Sequence, residues 1–253
     1  MTEEHTCLEV CVDSFESAMA AIRGGADRLE LCGCLIAGGL TPEVELLEQI
    51  RSCSDIPIRC LMRPRAGDFL YAASELSRML RQIPRLRDAG ADGFVIGCLT
   101  AEGELDLAAM ERLVRAAEGT GLTLHRAFDV CRDWRTAARQ AAELDIDTIL
   151  TSGQAADCWS GRQCLLDLAA EELPLTVMPG AGINADAIRK LLALHPFTAF
   201  HMSGKAVVDN GMRFRREGVP MGLPGLDEFS IWQTDEKKVR QAALVLKGAS
   251  HAD

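Results

Sequence analysis

The sequence predicts one (β/α)8 barrel of the TIM type over residues 1–253, with its functional site on the mouth formed by the C-terminal ends of the strands. Three observations carry that expectation. The chain has 253 residues, the usual size of such a barrel. Apolar strand-like runs alternate with amphipathic stretches along its length, which implies a parallel sheet covered by helices. A helix–turn–strand signature also recurs: Gly24-Gly25-Ala26-Asp27 before RLELC, Ala89-Gly90-Ala91-Asp92 before GFVIG, and Leu144-Asp145-Ile146-Asp147 before TILTSG. Successive aspartates are separated by about two strand–helix units. A degenerate fourth copy, Leu194-His195-Pro196-Phe197, precedes TAFHMSG.

Each element then finds its place. CLEVCV is the first strand, followed by a helix over 14–23 with Ser14 as its N-cap. RLELC is the second strand, and Pro42 suits the first turn of a helix over 43–51. IPIRCLMR is the third strand, with a helix over 74–88, and GFVIG is the fourth, with a helix over 107–118. LTLHRAF, TILTSG and LPLTVM supply strands five to seven; Asn184 caps a helix over 186–194, and TAFHMSG is the eighth strand. No GxGxxG follows the first strand, which argues against an open dinucleotide-binding sheet. Residues 204–229 break the rhythm with glycines, prolines and arginines, and read as a long loop serving as lid, interface element or disordered segment. A helix over 235–247 closes the barrel, and no linker or second domain is evident.

Composition limits the partners. A formal net charge of -10 argues against nucleic acid or an anionic membrane, both of which attract basic surfaces. No apolar run approaches the ~20 residues of a membrane-spanning helix, and the start of the chain lacks a signal-peptide pattern. The 10 cysteines are scattered and show no disulfide-scaffold spacing, so a reducing cytoplasm is the expected compartment. Self-association into a homo-oligomer is left open.

Period-two alternation assigns the faces of the strands. Leu8 and Val10 face the helices, so Glu9 and Cys11 face the interior; Leu29 and Leu31 likewise leave Glu30 and Cys32 inside. The shared Leu-Glu-apolar-Cys pattern suggests that the two carboxylates are neighbours on adjacent strands, about 4.8 Å apart. Thr123 and His125 point inward from the fifth strand, and His201 and Ser203 from the eighth. In the third strand the inward residue is either Met62 or Arg63, and Arg63 and Arg65 lie at its C-terminal end. Barrel interiors are normally apolar, so this constellation is either a structural ion network, with Arg63, Arg65 or Arg126 neutralising the glutamates, or a functional mouth. Residues from four strands meeting at one end favour the mouth. Glycines at 180 and 182, opening the helix after strand seven, expose backbone donors for a phosphate or carboxylate, and Thr151-Ser152-Gly153 adds hydroxyls. For soft copper the inward thiols Cys11 and Cys32 are the candidate ligands; the C-x-C of Cys32 and Cys34 alone is weak.

At the stretches LEVCVDSFESA, GGADRLELC, AGGLTP, RPRAGDFLY, ADGFVIGCLT, HRAFD, ILTSGQ, MPGAGI and GMRFR the sequence resembles the CutC copper homeostasis family. They run in order from Leu8 to Arg215. The resemblance implies a TIM-type barrel, a cytoplasmic location, copper homeostasis and copper binding. It places shared polar positions at Glu9, Glu30, Arg63, Arg65, Asp68, His125, Arg126, Asp129 and His201, while Ala66-Gly67 stands where the family has two glycines. Two functions therefore compete. In one the protein binds or buffers copper; in the other it is an enzyme on a small anionic metabolite, with Glu9, Glu30 or His125 in acid–base roles. Under either, Arg63, Arg65, Asp68, Arg126, Asp129, Ser152, Gly180, Gly182, His201 and Ser203 are the candidate ligand-binding residues.

Overall fold

The computed structural model describes residues 6–216, 218–219, 221–222 and 227–249. Its strands are β1 (Cys7–Val12), β2 (Arg28–Leu31), β3 (Ile58–Leu61), β4 (Gly93–Ile96), β5 (Gly121–Leu124), β6 (Thr148–Thr151), β7 (Thr176–Pro179) and β8 (Ala199–Met202). They pair in the order β7-β6-β5-β4-β3-β2-β1-β8, every paired seam parallel. The end strands β7 and β8 lie side by side and close the barrel without a paired ladder.

Between the strands run α1 (Phe15–Gly24), α2 (Val44–Arg51), α3 (Ala73–Asp88), α4 (Leu107–Ala116), α5 (Trp134–Glu143), α6 (Arg162–Ala169) and α7 (Ala185–Leu192). Ser14 accepts a bond from Ser17 N at 3.3 Å, and Asn184 accepts from Asp186 N and Ala187 N, so both expected caps are formed. Pro42 does not enter α2, which starts two residues later. The main core lies between the strands' outer faces and these helices: Leu8, Val10, Leu29, Leu31 and Met62 all belong to it. That settles the third strand, because Met62 packs outward and leaves Arg63 on the inner side.

The recurring aspartate has a structural cause. Asp27 accepts the backbone N–H of Leu8 at 2.8 Å, Asp92 that of Ile58 at 2.7 Å, and Asp147 that of Leu122 at 2.6 Å. Each aspartate thus caps the start of the preceding odd strand while its own N–H bonds the same residue's carbonyl. Gly25 and Gly90 supply the left-handed turns, with φ of 93° and 105°.

The 204–229 stretch is not one loop. It opens with β9 (Lys205–Asp209), which pairs antiparallel with β10 (Ser230–Thr234) in a hairpin. The long connection hid the pairing, because short strands that are exposed on one side carry little apolar signal. Residues 217, 220 and 223–226 of the expected loop lie outside the described residues. α8 (Glu236–Ala249) follows and packs on α1 and α7.

Candidate functional site at the barrel mouth

The barrel interior is polar along much of its axis. At the N-terminal end a cavity of about 500 Å³ is lined by Arg28, Arg59 and the threonines that begin β6 and β7. Arg59 reaches Asp147 at 2.8 Å and Thr123 at 2.6 Å, and the absent side chains of Gly93 and Gly121 make room for it. Above it Arg28 donates from Nε to Glu9 at 2.6 Å, and Glu9 is wholly buried. His201 donates from Nδ1 to the other oxygen of Glu9 at 2.8 Å and turns Nε2 to Glu30, 3.8 Å away.

The two glutamates are therefore not level. Glu9 stands opposite Arg28 and His201, whereas Glu30 stands opposite Cys11. Barrel strands are staggered, so identical patterns on adjacent strands do not meet residue for residue. Glu9 sits one step deeper than expected, and Glu30, His125 and His201 face the mouth. The counter-charge is Arg28, not Arg63 or Arg126. Sequence reading missed Arg28 although the signal was present: it lies two residues before the inward Glu30, on the same face.

These contacts set the charges. Burial would raise the carboxyl of Glu9, but the Arg28 guanidinium and the His201 contact hold it at about 2. Burial pushes Glu30 up to about 7 against the pull of His201, and the charge of Glu9 adds to the rise. His201 resists burial and stays protonated well above the usual range, because Cys11 and both glutamates face it. Burial also raises the thiol of Cys11. The thiol of Cys11, the carboxylate of Glu30 and the imidazole of His201 offer ligand atoms that all lie within 4.8 Å of one another. Cys32 does not join them. Its thiol donates to the Val12 carbonyl at 3.5 Å and packs with Leu61 and Val95, so the expected Cys11–Cys32 pair gives way to a mixed set.

Across the mouth, a cavity of about 310 Å³ is bounded by Cys11, Glu30, Arg63, His125, Arg126 and His201. Arg63 ties two loops together, donating from one nitrogen to the carbonyls of Ala37, Gly38 and Gly39 and from another to Gly67. Gly38 and Gly39 have φ of 86° and 82°, which turns their carbonyls to the guanidinium. His125 accepts from Ala127 N at Nδ1, 3.1 Å, and its ring lies tilted against Phe69, centroids 4.8 Å apart. Burial, with Arg63 nearby, pulls its pKa down to about 3. Gly97 leaves the space that its ring fills: a Cβ there would come within 2.4 Å of it.

Other predicted residues stand elsewhere. Arg65 and Asp68 pair at 2.7 Å and shape their own loop, with Arg65 also on Glu75. Asp129 accepts from Arg126, Thr151, Gln154 and the backbone N–H of Ser152, while Ser152 Oγ donates to the Ala155 carbonyl; both brace neighbouring loops. Gly180 lets β7 pass Leu150, whose Cδ1 a Cβ would meet at 2.5 Å. Gly182 and Ser203 line a separate groove of about 1140 Å³ against α8, so the 180–184 turn and Arg63 do not share one anion site.

Comparison with known proteins agrees with the fold and the motifs. The CutC family model matches residues 6–206. A family protein CutC of Histophilus somni is 40% identical over 233 residues, covering 92% of this chain and 96% of the relative. One from Pasteurella multocida is 41% identical with the same coverage of each chain. The crystal structure of a protein named for copper homeostasis, CutC from Streptococcus agalactiae, superposes with a TM-score of 0.74 at 26% identity, covering 78% of this chain and 98% of that one.

Proposed function

Because the chain belongs to the CutC family, we propose that it serves copper homeostasis in the cytoplasm by holding copper at the barrel mouth through Cys11, Glu30 and His201. One observation carries the reading: three metal-competent side chains from three strands converge there, and the histidine is oriented from behind by a buried carboxylate. Metal-binding histidines characteristically give their second nitrogen to such a carboxylate, as His201 gives Nδ1 to Glu9. The ring then presents Nε2 toward Glu30 and Cys11.

The donor set fits copper. A thiolate with an imidazole suits the soft Cu(I) ion, and the carboxylate adds a harder ligand for the oxidised ion. Copper, as cargo, would replace protons now held by Cys11 and His201, so loading releases protons and weakens as pH falls. Arg28 and Glu9 touch no metal in this reading; they fix the ring of His201. The cytoplasmic setting is supported by the cysteines, all of which are free thiols. No helix among the described residues is long and apolar enough to cross a membrane.

Competition against a Cu(I) chelator under reducing conditions tests the assignment. Cys11→Ser and His201→Gln should each weaken binding by about tenfold or more, a loss of ~1.4 kcal/mol. Cys32→Ser should leave it unchanged. A wild-type protein that takes no copper from the chelator would overturn the reading, and equal loss in Cys32→Ser would overturn the ligand set.

A further inference from the structure

The copper cluster occupies one wall of the mouth and leaves the opposite wall unexplained. There His125 and Arg63 border the same 310 Å³ cavity, and each is at least nine-tenths buried. Both hold a buried nitrogen with no partner among the described residues, Nε2 of His125 and Nε of Arg63. A lost partner for a buried polar group is costly, so two such residues lining one cavity mark a place where a ligand supplies an acceptor.

The chemistry of that ligand follows from the donors. Nδ1 of His125 receives the backbone N–H of Ala127, so the single ring proton is on Nε2, which is a donor. Arg63 brings a full positive charge. Its guanidinium bonds four backbone carbonyls through Nη1 and Nη2, and among the described residues it has no carboxylate partner. The hydroxyl of Tyr71 lies beside the guanidinium as a neutral neighbour and brings no charge to match it. The other cations here are already matched, Arg28 with Glu9 and Arg126 with Asp129. One unmatched charge and a neutral donor call for an acceptor carrying one negative charge. Leu35, Leu61, Phe69 and Leu150 supply apolar lining for the rest of the molecule. The volume is at the small end of ligand sites.

The geometry points to a second ligand site in the mouth, one that binds the carboxylate of a small organic acid between the guanidinium of Arg63 and Nε2 of His125. A carboxylate has two acceptor oxygens in one plane and a single charge, matching two donors and one unpaired cation. A phosphate dianion would bring more charge and more acceptors than this wall satisfies. The site stands apart from the copper assignment, since neither residue is in the Cys11, Glu30 and His201 set.

The test uses the full chain, freed of metal by chelation. Acetate, succinate and inorganic phosphate are titrated separately to about 50 mM, enough to saturate a site with a Kd near 1 mM. Imidazole resonances detected through long-range nitrogen–proton coupling report the His125 tautomer and its Nε2 shift. The expected result is a saturable shift of His125 Nε2 with acetate or succinate, the Nε2–H tautomer retained. His125→Phe keeps a ring on Phe69 but removes the donor, and should weaken carboxylate binding about tenfold, read by calorimetry, with copper uptake unchanged. Failure of both carboxylates to move the His125 resonance overturns the proposal, and so does binding of phosphate alone. Unchanged carboxylate affinity in His125→Phe moves the anion elsewhere and overturns it too. The wild-type titration decides even if the variant does not fold.

Discussion

His125 is a buried base with one nitrogen committed to the backbone, and its protonation is costly in the folded state. Its pKa is lowered from 6.5 to about 3 by burial and by Arg63. Between those values the unfolded chain binds a proton that the folded chain refuses, so stability falls as pH drops from about 6.5 toward 3. One proton corresponds to about 1.4 kcal/mol per pH unit. His125→Gln removes this group, and urea unfolding at several pH values should show an acid limb shallower by about one proton; parallel limbs would mean that His125 is not held neutral. Glu9 acts in the same direction over a lower window, since its carboxylate, held at about 2, contributes stability present above 4.5 and lost as pH falls toward 2. At this scale the sequence revealed the inward faces of Glu9, Glu30, His125 and His201, because alternation is local. It could not show what each one touches, since partners such as Arg28 and Glu9 meet through pairing between strands.

The repeated Gly/Ala-Asp turn was legible as a repeat, and the structure supplies its function: each aspartate holds a backbone N–H at the start of the strand before it. In the degenerate fourth copy there is no aspartate, and at the start of the strand before it Thr176 N bonds the Asp147 backbone carbonyl instead. Asp92 is the best site for a test, because it also pairs with Arg51 and is remote from the mouth. Asp92→Ala leaves the Ile58 N–H without its side-chain acceptor and should cost about 1–3 kcal/mol. Denaturant midpoints check this; copper uptake of the folded variant should match wild type. The β9–β10 hairpin was the element least readable beforehand. Apolar residues stand on its exposed side as well, Val207 and Ile231 among them, and its two strands are far apart in sequence. Periodicity within one short strand is weak evidence when the partner is not adjacent.

Over the whole molecule, eight strands enclose a lumen whose axis is charged. Arg59 with Asp147, then Arg28 with Glu9, then His201 and Glu30 lead from the N-terminal cavity to the mouth. Small apolar clusters, Leu61 with Val95 and Leu150 with Met178, fill the space beside them. Such a column is expensive to desolvate, and it holds only while each charge has its partner. The barrel itself was readable from rhythm alone, because eight strand–helix units admit few closed arrangements. The column was not, since stagger between strands decides which inward residues meet. Its energetic character can be tested at Arg28 and Glu9, whose side chains are 16% and 0% exposed. Arg28→Met strands the carboxylate of Glu9 with His201 alone and should cost about 3–5 kcal/mol of global stability. Adding Glu9→Gln removes the stranded charge and keeps an acceptor for His201, so the double variant should recover much of that loss. Urea unfolding of wild type, both single variants and the double gives the coupling directly. Additive losses would show that the two charges act independently, and that the column is a set of separate contacts instead of one linked network.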